Sequence, residues 1–399
     1  MTGSGWIVPC ALSVACCAIG RTVAAPLATV TGEARDVSVP ITVPLPMGAE
    51  EGSGELLPAA GVGAVVWQSS TRGPWAGGQP WAGAVLAPGP ALDGARFAVV
   101  RGKEARPAAF RFEEVDNGVV RLLENDRTVL VYHSRPTLAE GVPEQFRRAG
   151  YVHPIYGLDG EVLTDDFPKD HYHHRGLYWA WPYIDVAGQR VSSWYCQGIE
   201  TRCDRWLDRE AGPVFALFGL DNGWYVGDRE VVDELVWYRV WAADEVGRAI
   251  DVDIVWTAGD DPVVLTGVEE KGYGGFCLRF APREATAITT DAGRLVQDTL
   301  EVPYAWADLS ARFAGRAELS GAAVFIDAAN PGFPNGWITR HYGFLGVNWP
   351  GLRSVTLEPH RPVHLQYRVW VHRGDAGTGA VAAAYQAFRT PPRVTLREP

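Results

Sequence analysis

The sequence predicts an all-β protein, a sandwich or barrel of antiparallel strands, on three observations. Short runs rich in Val, Ile, Trp, Tyr and Phe recur along the chain. Gly, Asp, Asn or Pro punctuates them at intervals of about 8–12 residues. Only one stretch has helical composition. The strand runs are Val37–Val43, Phe110–Val115, Val119–Leu123, Thr128–Tyr132, Val214–Leu220, Glu230–Trp241, Ala249–Trp256, Phe276–Phe280, Gly321–Ile326 and Val363–Val371. Ile250-Asp251-Val252-Asp253-Ile254 alternates strictly, the pattern of a strand with one face in the core and the other in water. The helical stretch is Ala380–Arg389, Ala-rich after a Gly/Asp turn. The many turn-bounded strands point to a sandwich or barrel.

At 399 residues, 47% hydrophobic and 21% charged, the chain can bury one large core or two moderate ones. Its net charge of −11, with no basic run, argues against a nucleic-acid partner. Lys occurs only at Lys103, Lys169 and Lys271. Residues 1–25 read as an export signal: an apolar stretch from Trp6 to Ile19, then Arg21 and the small residues Val23-Ala24-Ala25 before Pro26. A lipid-anchored reading at Cys16 meets Ser13 where a large aliphatic is expected. The expected location is therefore periplasmic or secreted. No later run reaches the about 18 apolar residues of a membrane span, so the mature chain should carry no integral membrane segment. Cys10, Cys16 and Cys17 would leave with the signal. Cys196, Cys203 and Cys277 remain; a Cys196–Cys203 bridge fits an oxidising compartment, and buried free thiols are the plainer reading. Residues 26–105, with a Gly/Pro-rich stretch from Pro44 to Gly94 that holds Trp75 and Trp81, read as a small N-terminal β region. Residues 106–399 read as the main domain.

The densest chemistry lies in Asp170-His171-Tyr172-His173-His174-Arg175-Gly176, which holds three of the chain's nine histidines in four residues. Imidazole titrates near neutral pH and is the commonest metal ligand. On an extended strand His171 and His173 would share a face, with His174 opposite unless the chain bends. Three readings stay open. His171 and His173 bind one divalent metal ion with help from Asp165, Asp166 or Asp170; the histidines act as acid/base groups without metal; or they satisfy one another in a polar loop. His153 stands upstream in Tyr151–Tyr156. Arg175 suits a carboxylate or sugar hydroxyl, and equally an ion pair with Asp165 or Asp166. In Leu177–Tyr183, alternating aromatics, Trp179 among them, suit either sugar stacking or core. Glu269-Glu270-Lys271 opens a Gly-rich loop whose spacing fits no nucleotide fingerprint; Glu270 is a candidate acid or base and Lys271 a candidate substrate contact. The polar loop from Asn330 leads through Arg340, His341 and Asn348, a candidate binding rim. His360, His364 and His372 read as structural.

These pieces together resemble a family of secreted bacterial proteins called PmoA-like and labelled "methane oxygenase PmoA". The matching segments are His153-Pro154-Ile155-Tyr156, Asp170–Gly176, Glu270-Lys271-Gly272, Trp337–Gly343 with Asn348, and Tyr367–Asp375, over residues 105–390. Ile338-Thr339 replaces a more polar stretch. The methane-oxidising subunit of that name is a multi-span membrane protein, which this pattern does not match. The family's appearance is closer to proteins of secreted polysaccharide-degrading systems, and its closing strand resembles sugar mutarotase-like supersandwiches. The resemblance thus implies a large antiparallel supersandwich, to which the residues themselves add a smaller N-terminal β region and a C-terminal helix. It also implies an exported carbohydrate-active enzyme, with catalytic groups expected among His171, His173, His174 and Glu270. His153, Arg175, Trp179, Lys271, Arg340, His341 and Asn348 are then expected to contact a carbohydrate. A metal-dependent oxygenase and a non-catalytic glycan binder are the alternatives.

Overall fold

The computed structural model describes residues 27–397 apart from 46, 48, 50, 59–64, 75–78, 102–105 and 117. The expected export segment with Cys10, Cys16 and Cys17 lies outside the described residues, as do Trp75 and Lys103. What is described is all-β, with antiparallel sheets and one α-helix, Val381–Arg389.

Three sheets stack in layers. The central sheet has nine strands in the order Glu200–Ala211, Phe215–Val226, Arg229–Trp241, Gly247–Ala258, Val363–Arg373, Ser320–Ile326, Trp306–Phe313, Arg283–Thr290 and Gly293–Leu295. The front sheet, also of nine, runs Thr299–Pro303, Gly336–Arg340, Phe344–Asn348, Gly275–Arg279, Leu177–Ala180, Tyr151–Ile155, Arg127–His133, Val119–Glu124 and Phe110–Asp116. The back sheet has seven strands: Val39–Pro44, Trp81–Leu86, Val65–Ser70, Gly52–Pro58, Leu92–Arg101, Leu27–Gly32 and Arg393–Arg397. The Gly/Pro-rich stretch from Pro44 to Gly94, which reads as irregular in sequence, thus holds three whole strands. Their short apolar runs are masked by glycines that pair well but show no alternation.

Side-chain parity explains the stacking, because successive residues of a strand face opposite sides. Ala216, Phe218 and Leu220 enter the core between the central and front sheets, while Phe215 and Leu217 enter a second core against the back sheet. Trp241, Phe325 and Trp370 join that second core, and the helix closes one end of it with Tyr385 and Phe388 beside Phe325. A four-stranded sheet, Gln189–Val191, Tyr183–Val186, Val263–Thr266 and Ser354–Leu357, adds Ile184, Val186 and Leu265 to the main core.

The Ile250–Ile254 alternation has a different meaning from the one expected. Ile250, Val252 and Ile254 face the main core, but Asp251 and Asp253 are buried as well, on the central sheet's other side. Asp251 accepts hydrogen bonds from Arg239 at 2.9 Å, Arg368 at 2.5 Å and the Trp241 indole at 2.8 Å. Burial pushes its carboxyl up, yet the Arg368 and Arg239 guanidiniums outweigh it and hold the group at about 2. A polar stripe on an alternating strand can face a charge network between layers as readily as water. The three described cysteines are free, so no Cys196–Cys203 bridge forms.

Candidate functional site

The outer face of the front sheet carries a third apolar cluster: Tyr151, Tyr178, Ala180, Cys277, Ile338 and Phe344, capped by Trp194. Tyr178, Cys277, Gly346 and Ile338 pair in one row across four neighbouring strands, so their side positions share this face. Trp179 has the opposite parity. Its indole donates 2.6 Å into the sandwich interior to Glu234, a fully buried carboxylate that also accepts from Trp224, Trp256 and Asn222. Trp179 is therefore a core residue and not a sugar-stacking one.

The histidine run sits over this floor, and it is a turn, not a strand. The His174 amide donates to the His171 carbonyl at 2.9 Å, and the His171 amide to the Pro168 carbonyl at 2.9 Å. The bend brings all three imidazoles together. His171 and His174 stack with centroids 4.6 Å apart and planes 5° from parallel, and His173 stands nearly perpendicular, 4.6 Å from His174 and 5.5 Å from His171. Phe344 stacks beneath His174 at 4.7 Å, Tyr342 stacks on His171 at 5.4 Å, and Trp194 and Tyr195 flank His173.

Arg175 shapes the turn. Its guanidinium donates to the carbonyls of Tyr172 (2.8 Å), His174 (2.7 Å) and Phe146, lies 3.6 Å over the Phe167 ring, and stands 3.4 Å from the Asp166 carboxylate. Its side chain is fully buried, so the expected substrate contact is instead an internal strut. His153 is a strut too: its ring meets the Thr164 hydroxyl at 3.1 Å, and its carbonyl accepts from His133 at 2.7 Å.

Burial sets the electrostatics. It pushes His153 and His173 down to about 3 and His174 well below its ordinary value, with neighbouring imidazoles and arginines adding to the effect. These rings are neutral at pH 7. Burial pushes the Asp166 carboxyl up to about 6 against the opposing pull of Arg175. Asp170 behaves oppositely: burial opposes its ionisation, but the His171 imidazole and the Arg279 guanidinium together hold it below the usual range. Arg279 grips both Asp170 oxygens at 2.9 and 3.0 Å and lies 4.8 Å over the Tyr342 ring. His171 Nδ1 is 3.0 Å from Asp170, within ion-pair reach though off the line of a straight hydrogen bond.

The metal reading gains no support from this geometry. Among the described residues, no group of three or more His, Cys, Asp or Glu side chains is arranged to hold a metal ion. The chain's other expected site segments reach the cluster through unexpected residues. Arg340 and His341 turn to Asp298 and Thr299, while the adjacent Tyr342 stacks on His171. Glu270 and Lys271 are exposed on a turn, while Tyr273 of the same loop packs 4.7 Å from Trp194 and meets the Tyr195 hydroxyl at 3.1 Å. Asn348 is buried on the floor and donates to Glu301. His364 and His372 are ion-paired to Asp253 and Asp308, and His360 lies 3.2 Å from Asp260. Arg279, Tyr342, Trp194 and Tyr273 are the residues that sequence reasoning missed. A parity count along Leu177–Ala180 would have separated Tyr178 from Trp179; nothing in the local sequence marks Arg279.

Among solved structures, an alpha-mannosidase from Enterococcus faecalis V583 is similar at a TM-score of 0.45 and 9% identity; the match covers 94% of this chain and 46% of that one. This chain thus spans less than half of that protein's length. A comparison with curated proteins finds no significant match. No helix among the described residues is long and apolar enough to cross a membrane. Residues 119–386, which include the histidine turn, Arg279 and Tyr342, match the model of a family described as a "family of unknown function", and the chain belongs to that DUF6807 family.

Proposed function

We propose that this protein is an exported carbohydrate-active enzyme whose site is the histidine turn on the outer face of the front sheet. One observation carries the reading: His171, half-exposed and stacked under Tyr342, lies 3.0 Å from an Asp170 carboxylate that Arg279 clamps through both oxygens. A carboxylate beside an imidazole orients the ring, as a group that takes and returns a proton requires. Arg279 keeps Asp170 ionised while His171 does so.

The surroundings suit an uncharged polyol. Two ion pairs of the site are closed, Asp170 with Arg279 and Asp166 with Arg175, and Arg148 donates to the carbonyls of Ser193 and Trp179. His173 and His174 are neutral and offer both donors and acceptors, and His174 Nδ1 is buried with no protein partner. Tyr342, Tyr195 and Tyr273 add flat faces and hydroxyls, the mixture on which sugar rings stack and hydrogen-bond. His171 is the proton-transfer residue of this reading; His173 and His174 bind hydroxyls, and Arg175 positions the turn.

The test is a screen of mono- and oligosaccharides for product formation, with affinity measured in parallel on wild type, His171→Gln and His173→Ala. Turnover should disappear in His171→Gln while binding survives. His173→Ala should weaken binding by about 1–3 kcal/mol. Binding without product in the wild type would make the chain a glycan binder, and turnover that survives His171→Gln would place the chemistry elsewhere.

A further inference from the structure

The carboxylate bet of the sequence falls on Glu270, yet a different glutamate is built into the same face. Glu301 sits in the edge strand Thr299–Pro303, where the register slips between Leu300 and Val302. A bulge of this kind re-aims a side chain. Glu301 adopts the left-handed conformation, with φ at 54°, which costs a residue with a side chain free energy and recurs at functional positions. Its flanking residues Leu300 and Val302 are exposed, while Glu301 is half-buried.

Three glycines from three separate segments make room for its carboxyl group. A Cβ at Gly272 would lie 2.2 Å from the Glu301 carboxyl, at Gly351 2.6 Å and at Gly336 3.1 Å. Asn348, 2% exposed, donates its amide to this carboxylate, and its own Oδ1 is buried with no protein partner. That places two acceptors, a carboxylate and an amide oxygen, where three backbone segments close in without side chains.

The histidine turn stands over the same face. Phe344, under His174, and Asn348 stand at the two ends of one strand with the same parity, and Gly346 lies between them beneath the Phe344 ring and Ile338. Four residues of strand span about 13 Å. The loop 268–275 bridges the same distance on the side: Gly272 touches Glu301 and the next residue, Tyr273, packs on Trp194 beside His173.

We propose that Glu301 and Asn348 form a second hydroxyl-binding subsite of the carbohydrate site, so that the ligand is an oligosaccharide long enough to reach from the histidine turn to Glu301. The inference rests on the carbohydrate reading above. Glu301 accepts hydroxyl hydrogen bonds from the distal sugar, and Asn348 Oδ1 accepts another; neither carries out chemistry.

Binding of neutral glucose-, mannose- and xylose-based oligosaccharides, graded from monosaccharide upward, tests it by calorimetry on wild type, Glu301→Gln, Glu301→Gly and His171→Gln. Affinity should rise with chain length in the wild type. Both Glu301 variants should lose about tenfold or more for the longer ligands, as expected for a lost charged hydrogen bond, and nothing for the monosaccharide. Glu301→Gln should keep the thermal midpoint of wild type, because its amide oxygen still accepts from buried Asn348; that separates ligand binding from a structural staple. Length-independent affinity, or long-ligand binding unchanged in both Glu301 variants, overturns the subsite and leaves the histidine-turn reading standing. No binding of any sugar by the wild type overturns both. A calcium-induced rise in thermal midpoint that Glu301→Gln abolishes, without length-dependent sugar binding, would make Glu301 a cation ligand and overturn the subsite.

Discussion

Replacing Arg175 by methionine should be among the most damaging single changes in the front half of the molecule. Methionine keeps the unbranched apolar stem that packs over Phe167 and removes only the charge and its donors. The Arg175 side chain is fully buried, and that of its partner Asp166 is 12% exposed, 3.4 Å away. Removing one member of a buried pair strands the other and costs about 3–5 kcal/mol. The carbonyls of Tyr172, His174 and Phe146 lose their donor as well, each on the order of 1 kcal/mol. These effects overlap, so a total of about 4–6 kcal/mol is expected. Urea unfolding followed by tryptophan fluorescence reads it as a lower midpoint at constant slope. Adding Asp166→Asn to Arg175→Met should recover about 2 kcal/mol, because the stranded charge goes and the carbonyls stay unpaired. A loss below about 1 kcal/mol for Arg175→Met would mean that the turn is held from elsewhere. A double variant as unstable as the sum of the singles would mean that the ion pair contributes nothing.

Three further outcomes follow from the buried charges. Asp166 has its folded carboxyl raised from 3.8 to about 6; its cost is absent below the unfolded value, grows as pH rises to about 6, and is then constant at about 3 kcal/mol. Asp166→Asn lacks this cost. Its stability relative to wild type, lowered at every pH by the stranded Arg175 charge, should therefore climb by about 3 kcal/mol between those limits in paired urea titrations, and a flat difference would refute the shift. His372 is fully buried, with Nε2 2.8 Å from Asp308 and Nδ1 3.1 Å from the Arg373 carbonyl, both acceptors. Burial opposes its charge but Asp308 outweighs it, so its folded value is raised. Its contribution is complete below the unfolded value near 6.5 and is lost as pH rises through the folded one; in paired unfolding series His372→Asn should lack that alkaline decline. Trp179→Phe removes one donor from buried Glu234 and should cost about 2 kcal/mol while leaving sugar affinity untouched; a binding defect would return Trp179 to the site.

The layered β architecture is legible in the sequence because parity and turn residues are local signals. The third layer is not, since Asp251 and Asp253 look like a solvent face until Arg239 and Arg368, distant in sequence, are placed against them. The histidine cluster is equally local, but its bend depends on Arg175 reaching back to Phe146 and Asp166, so an extended reading of the run goes astray. Segments near the site were found while the residues within them were missed by one or two positions: Tyr342 for His341, Tyr273 for Lys271. The cradle of Glu301 needs glycines at 272, 336 and 351, which no single window contains.

Strand Leu27–Gly32 pairs with Arg393–Arg397 as antiparallel neighbours, Leu27 opposite Arg397. The two are placed as a hairpin would place them, lacking only the connecting turn. A two-residue Asn-Gly link from 397 to 27 would supply it, and new ends could open in the exposed 314–318 loop. Such a circular permutant would make the back sheet's closing pair a local contact, forming early in synthesis. In the natural order that pair joins the first described strand to the last. Until it forms, Phe215, Trp241, Phe325 and Trp370 are shielded by an unfinished layer, which makes this face the part of the chain most exposed to aggregation while it folds.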